Sequence, residues 1–144
     1  MKVKKTVILI LMALTSVSSF AQRGNDAFKA YLYNDEYEVY LRINFYEQNI
    51  KIPGQELYGE LPGYLGRKNH SFCWVMVSAE VENEKKATMT LINDFGSEDL
   101  TASLTMKNDS IYIFKQEEGS TVKIPKDGKW QKLPKTLEFK RKKQ

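Results

Sequence analysis

Two reactive side chains occur only once in this sequence, a histidine and a cysteine. One histidine, His70, excludes a zinc site built from several histidines, although it leaves a histidine-based triad open. Its neighbours are Gly, Lys and Asn residues, which favours an exposed side chain. Cys73 lies in an apolar run and is expected to be a small buried residue. No Gly-x-Ser-x-Gly, phosphate-binding loop, dinucleotide fingerprint or paired-cysteine spacing occurs, so the sequence favours a non-catalytic protein without a cofactor.

Three carboxylates surround a glycine turn at residues 93–99. Hard cations such as calcium bind several oxygen ligands of this kind, but the spacing does not match an EF-hand loop. A turn with solvated charges is the simpler interpretation. The sequence therefore predicts no metal site, and the residues that would form one are Asp94, Glu98 and Asp99. Two carboxylates could also cleave a glycosidic bond, with Glu56, Glu60, Asp94 and Glu98 as the acids available.

The residues best suited to bind a ligand are aromatic and polar side chains on one strand face. Residues 37–46 alternate apolar and polar side chains, which predicts a half-buried strand whose polar face carries Tyr, Arg and Asn. Aromatic rings present flat apolar faces to sugar rings or acyl chains, while Arg and Asn fix orientation by hydrogen bonds. An outer surface that merely shields the core is the alternative. The predicted ligand-binding residues are Tyr40, Arg42, Asn44, Tyr46, Tyr58 and Trp130.

Period-two alternation continues along most of the chain and predicts antiparallel hairpins. Residues 26–32 are expected to form a short helix or an entry strand, and residues 50–53 and 56–61 two short strands. Residues 61–70, rich in Gly, are expected to form a loop. Further strands are predicted over 72–82, 87–95, 100–107, 110–116, 121–124 and 136–140, with a Lys-rich loop before the last one.

The first 21 residues have the order of a secretory signal peptide. Three lysines precede a short apolar run, and Ser19-Phe20-Ala21 offers small residues at the cleavage positions. The apolar run is shorter than the roughly 20 residues that a membrane span requires. Cys73 is too far downstream to accept a lipid anchor. We therefore expect an exported protein, periplasmic or secreted, that is neither a lipoprotein nor membrane-spanning, with a mature domain at residues 22–144.

The charge of the chain is unevenly distributed. The formal net charge is +4, but three basic residues and no acidic residue lie in the predicted signal, so the mature domain is nearly neutral. From Lys123 onward, nine basic residues face only two acids. The basic end, residues 140–143, could meet an anionic lipid or glycan, or it could simply be a solvated end that keeps the last strand soluble. Export argues against nucleic acid as a partner.

An exported meander domain of this length resembles the calycins, the lipocalin-like and avidin-like small barrels. The Ser-Phe-Ala-Gln junction after a short Lys-rich start also resembles signal peptides of Bacteroidota. The Gly-x-Trp triplet that calycins often carry near the first strand is absent from that position, so no site residue is transferred. The predicted fold is all-β, an antiparallel up-and-down meander of about eight strands in one small barrel, with a β-sandwich as the alternative.

These observations lead to a functional expectation with two alternatives. We expect an exported barrel that binds a small amphipathic or carbohydrate-derived ligand, lipid or glycan included, without catalysis. The first alternative is an interaction module with a filled core that contacts another exported protein. The second is a hydrolase, which would need at least two titratable groups in one pocket.

Overall fold

The structure is a computed structural model that describes residues 26–143, so the predicted signal peptide lies outside the described residues. No helix within this range is long and apolar enough to cross a membrane. Over these residues the fold is all-β apart from one 3-10 turn, Glu56–Tyr58. The strands are β1 (Lys29–Asn34), β2 (Val39–Asn44), β3 (Ile50–Lys51), β4 (Glu60–Leu61), β5 (Gly63–Arg67), β6 (Cys73–Val81), β7 (Lys86–Asn93), β8 (Asp99–Met106), β9 (Ile111–Gly119), β10 (Lys123–Lys126), β11 (Lys129–Lys132) and β12 (Thr136–Lys142).

Eight of these strands form a closed antiparallel barrel. Their order around the barrel is β1, β2, β5, β6, β7, β8, β9 and β12, and β12 pairs with β1 to close it. Each strand thus lies beside its neighbour in the chain, with β3–β4 and β10–β11 as insertions. The predicted up-and-down barrel of eight strands is confirmed, and the sandwich alternative is wrong. Closure leaves no unpaired edge in the barrel wall.

Side chains fill the barrel interior. On β2, Val39, Leu41 and Ile43 point inward and are buried, as the alternation predicts. Aromatic side chains from several strands occupy the central volume, and the largest fully buried ones are Trp74, Tyr112, Phe28, Phe114 and Phe139. An eight-stranded barrel has an interior just wide enough for side chains of this kind.

The predicted loop at residues 61–70 is wrong, because it contains the barrel strand β5. A Cβ at Gly63 would lie 2.3 Å from the carbonyl oxygen of Arg42, so only glycine lets β5 approach β2 so closely. The ring of Tyr40 lies over Gly66, at 2.5 Å from where its Cβ would be. Glycine usually weakens a strand, but here it makes room for a neighbouring backbone and a tyrosine ring.

The β3–β4 insertion folds back over the outside of the barrel. Ile52 is buried there against Tyr64, Cys73 and Val75, which point outward from β5 and β6. This creates a second, smaller apolar core outside the wall. Residues 56–61, predicted as a strand, form the 3-10 turn followed by β4, while residues 26–32 lead into strand β1 rather than a helix.

The β10–β11 insertion packs over the end of the barrel where β9 ends and β12 begins. Val122, Ile124 and Leu133 are buried in the main core. The predicted Lys-rich loop is wrong, because β10 and β11 pair with Pro125 opposite Trp130. Asp127 and Gly128 both have positive φ, 52° and 77°, as a two-residue hairpin turn of the primed type requires.

At the other end of the barrel, where β1 begins, side chains of β9 and β12 hold the residues that precede β1. The hydroxyl of Tyr112 donates to the carbonyl oxygen of Ala27 at 2.5 Å, and Arg141 Nη2 lies 2.7 Å from that hydroxyl. Arg141 also donates to the Ala27 carbonyl at 3.1 Å. The basic end is therefore part of β12 as far as Lys142, and Arg141 fixes the start of the described chain.

Candidate binding groove at one end of the barrel

Tyr40 and Arg42, two predicted ligand residues, lie on the outer wall of the barrel. Tyr40 stacks on Tyr31 with ring centroids 5.4 Å apart and meets Tyr64 edge to face at 5.7 Å. Together with its contact over Gly66, this packing gives Tyr40 a structural role in the wall. Arg42 is exposed and lies between Tyr31 and Tyr64 in the strand register.

Asn44 and Tyr46 lie toward the end of the barrel where the described chain begins. Asn44 is buried, and its side-chain oxygen accepts hydrogen bonds from the backbone nitrogens of Tyr46 and Glu47 at 3.2 and 3.0 Å. The hydroxyl of Tyr46 accepts a hydrogen bond from the backbone nitrogen of Phe28 at 3.1 Å. Both residues hold the turn after β2 and the first described residues in place.

Tyr58 and Trp130 lie apart from that group. Tyr58 stands on the exposed 3-10 turn of the β3–β4 insertion. Trp130 lies on β11, is 57% exposed and meets Phe72 edge to face with centroids 5.0 Å apart. The six predicted residues therefore do not form one site. Trp130 lines a concave surface at the end of the barrel, while Tyr40 lines a separate cavity on the outer wall, beside the β3–β4 insertion.

This concave surface is a groove between the β10–β11 hairpin and the turn that joins β7 to β8. Its volume is about 270 Å³, and it is open to solvent on one side. Two exposed aromatic rings flank the groove. Trp130 stands on the hairpin, and Phe95, which is 77% exposed, stands on the turn. The lining residues are Phe72, Trp74, Asn93, Phe95, Ser97, Glu98, Lys123 and Trp130, which we call the aromatic groove.

Asn93 shapes the turn that forms one side of the aromatic groove. This buried side chain accepts hydrogen bonds from the backbone nitrogens of Ser97 and Glu98 at 2.9 and 3.2 Å. Its nitrogen lies 3.1 Å from Ser97 Oγ and 3.3 Å from Glu98 Oε2. Gly96 adopts φ of +70°, which lets the turn reverse without strain. The turn is therefore held in one shape by a residue of the barrel wall.

Two contacts fix the hairpin on the other side of the aromatic groove. The indole nitrogen of Trp74 donates a hydrogen bond of 3.0 Å to the carbonyl oxygen of Lys123. Lys123 Nζ lies 3.4 Å from Glu98 Oε1, so an ion pair joins β10 to the β7–β8 turn. Both partners are about one-third exposed, and water weakens such a pair. The floor of the aromatic groove thus carries one cation, Lys123, and one anion, Glu98, between the aromatic side chains.

Two more cavities adjoin the aromatic groove at Phe72. One, of about 340 Å³, runs between the β3–β4 insertion and the barrel wall and contains His70, Cys73 and Asp94. The other, of about 400 Å³, is shallow and lies between His70 and Trp130. A ligand longer than one ring would therefore find a continuous surface on both sides of Phe72.

The three carboxylates named from the sequence face different directions. Asp94 accepts a hydrogen bond from the side chain of Gln55, Glu98 pairs with Lys123, and Asp99 begins β8 as an exposed residue. Among residues 26–143, no three His, Cys, Asp or Glu side chains come close enough to hold a metal ion.

His70 and Cys73 line the same cavity, but the Cys73 thiol does not suit the role of a nucleophile. Burial, with a smaller effect of the Asp94 charge, raises the pKa of the Cys73 thiol to about 11. The thiol therefore keeps its proton at neutral pH, whereas the thiolate is the nucleophile. His70 Nδ1 accepts a hydrogen bond of 3.0 Å from the backbone nitrogen of Phe72, so this ring nitrogen orders a loop.

Sequence patterns alone missed most of the aromatic groove. Phe72, Phe95 and Lys123 look like ordinary residues of the predicted strands over 72–82, 87–95 and 121–124. The Asp127-Gly128 pair is the signal that could have revealed the hairpin, since such a pair between short strands typically forms a two-residue turn.

No family model, no curated protein and no solved structure matches this chain.

Proposed function

We propose that this protein is a non-catalytic binding module whose aromatic groove takes a small amphipathic, carbohydrate-derived ligand. The observation that carries the proposal is the exposure of Trp130 and Phe95 on opposite sides of a polar floor. Single exposed aromatic residues are common on protein surfaces, but Trp130 and Phe95 line the same groove, and contiguous exposed apolar surface often marks a binding site. The proposed site thus lies outside the barrel, because side chains occupy the interior.

The chemistry of the aromatic groove suits a sugar ring better than a purely apolar molecule. Trp130 meets Phe72 edge to face and is 57% exposed, so part of the indole is accessible to a ligand. Ser97, Glu98 and Lys123 offer a hydroxyl, an acceptor and a donor at the floor. Hydroxyl groups of a sugar need both donors and acceptors, and its C–H face packs on an aromatic ring.

Native mass spectrometry tests this proposal. The chain is purified gently from a host that exports it, and its spectrum is compared with that of Trp130→Ala. We expect an adduct of carbohydrate mass on the unchanged protein that is lost on denaturation and is absent from the variant. Leu57→Ala is the matched control, because Leu57 is a fully exposed apolar residue outside the aromatic groove. An adduct that persists in Trp130→Ala would contradict the proposed site.

A second candidate function is docking of another exported protein, and a specific observation favours it. Leu57 and Phe95 are exposed apolar side chains. The side chain of Gln55 on the β3–β4 insertion contacts Asp94 on the β7–β8 turn. Leu57 and Phe95 lie within two residues of this contact along the chain, so both are near the place where the insertion meets the turn. A bare protein in the native spectrum, together with a stable complex lost in both Leu57→Ala and Phe95→Ala, would favour docking over ligand binding.

A further inference from the structure

The outer wall formed by β12, β1 and β2 carries cations and phenols side by side. Tyr31 lies between Lys142 and Arg42 in the strand register, and Tyr33 lies between Lys140 and Tyr40. These six side chains point outward, because the residues between them point into the core. We call this surface the basic wall, and its members are Tyr31, Tyr33, Tyr40, Arg42, Lys140 and Lys142.

The charge of the basic wall has one sign. No carboxylate forms an ion pair with Arg42, Lys140 or Lys142 among the described residues. Glu138 shares the outward face of β12 two residues before Lys140, and Asp35, Glu36 and Glu38 lie in the β1–β2 turn at the same end of the wall. Lys140 and Lys142 lie on β12 and Arg42 lies on β2, the two strands that flank β1 and are roughly 10 Å apart, so their charges act on the same stretch of the wall.

Each phenol ring of the basic wall has one face covered by a neighbour, and the phenol hydroxyl groups can donate hydrogen bonds. Tyr31 and Tyr40 cover each other's faces by stacking. The ammonium of Lys142 lies 4.3 Å from the centre of the Tyr33 ring and covers a face of that ring. Burial raises the pKa of the Tyr31 hydroxyl, which therefore stays protonated as a donor. Cations and phenol donors together favour an anion with several oxygen atoms.

We propose that the basic wall binds an anionic polysaccharide whose carboxylate groups lie across β12, β1 and β2. This proposal is independent of the aromatic groove, which lies at the end of the barrel and shares no residue with the basic wall.

The same geometry disfavours other anionic partners. A single-stranded nucleic acid gains much of its affinity from bases that stack on exposed rings, and one face of each of Tyr31, Tyr33 and Tyr40 is already covered here. A lipid bilayer favours side chains that insert, yet the most exposed apolar residues, Leu57, Phe95 and Trp130, lie elsewhere. An acidic peptide cannot add a strand, because the closed barrel has no free edge.

The test measures binding of the purified protein to polygalacturonate by calorimetry. We expect the affinity to fall steeply between about 0.05 M and about 0.3 M salt, since the contact is electrostatic and exposed. The double variant Lys140→Gln, Lys142→Gln keeps both side-chain stems and should weaken binding about tenfold. The matched control Lys126→Gln, Lys129→Gln removes the same charge from the β10–β11 hairpin and should change affinity less than about twofold.

Comparison probes separate the possible partners. Neutral dextran should not bind, and polyglutamate, a single-stranded oligonucleotide and phosphatidylglycerol vesicles should bind more weakly than polygalacturonate. Preference for any of these probes would overturn the proposal, as would equal losses in the two double variants or no binding at low salt. Trp130→Ala should leave polygalacturonate binding unchanged, so this test does not depend on the aromatic groove.

Discussion

The indole nitrogen of Trp74, deep in the barrel, donates to the carbonyl oxygen of Lys123 on the β10–β11 hairpin, at 3.0 Å. This contact joins the main core to one wall of the aromatic groove. The position of Trp130 therefore depends on a residue that is almost fully buried, since Trp74 is 1% exposed. The ion pair of Lys123 with Glu98 continues the connection to the opposite wall.

Trp74→Phe should destabilise the fold measurably. The change leaves the Lys123 carbonyl without its partner and opens a small void, so we expect the free energy of unfolding to fall by about 2 to 3 kcal/mol. Urea unfolding of the unchanged protein and of Trp74→Phe measures this difference in free energy. Trp130→Phe is the control, because this exposed side chain should change the free energy by less than about 0.5 kcal/mol. Equal effects in both variants would contradict the role given to Trp74.

Asn93→Ala should disorder the β7–β8 turn. The change removes hydrogen bonds to two backbone nitrogens and should lower the free energy of unfolding by about 2 kcal/mol. Asn83→Ala is a matched control, because Asn83 makes the same kind of contacts, to the nitrogens of Lys85 and Lys86, in an exposed turn. Water replaces those contacts, and we expect a loss below about 1 kcal/mol. The reverse order of losses would contradict the burial argument.

Gly63→Ala should be more harmful than Gly66→Ala. A Cβ at Gly63 meets backbone, the Arg42 carbonyl oxygen at 2.3 Å, which cannot move without breaking the β2–β5 pairing. At Gly66 the obstacle is the Tyr40 ring, a side chain that can swing outward. We expect a loss of about 3 kcal/mol or more at Gly63 and a smaller loss at Gly66. Thermal unfolding of both variants measures the order.

The strand alternation was enough to predict the barrel but not all of its parts. Val39, Leu41 and Ile43 show a period of two because one face of β2 is buried and the other is not. Strand β5 breaks that pattern, because Gly63 and Gly66 allow close approach to β2, a strand about 20 residues earlier in the chain. Such long-range reasons cannot be read from local propensity.

The candidate site was harder to predict than the fold. Trp130 was named from the sequence, but its partner Phe72 lies 58 positions away along the chain. Tyr40 and Asn44 have residue types suited to binding, yet one packs on Gly66 and the other holds a turn. Residue type alone does not distinguish a side chain that binds a ligand from one that binds its own backbone.

The pH dependence of stability should reflect the buried thiol. Because burial raises the pKa of Cys73 from its ordinary value of 9.0 to about 11, the folded state holds the thiol proton more tightly than the unfolded state. The stabilisation is fully present below pH 9 and is lost as the pH rises toward 11. Cys73→Ala should flatten this part of the profile, measured by urea unfolding at several pH values. An unchanged slope in the variant would contradict the assignment.

Chemical-shift mapping is the most direct test of the aromatic groove. Nuclear magnetic resonance spectra of the ¹⁵N-labelled protein are recorded as the co-purified ligand, or a panel of small saccharides, is added. We predict shifts of the Trp130 indole signal and of the Ser97 and Phe95 amides, with Asn44 and Tyr46 at the other end unchanged. Shifts confined to Asn44, Tyr46 or the inward residues of the barrel would contradict the proposed function.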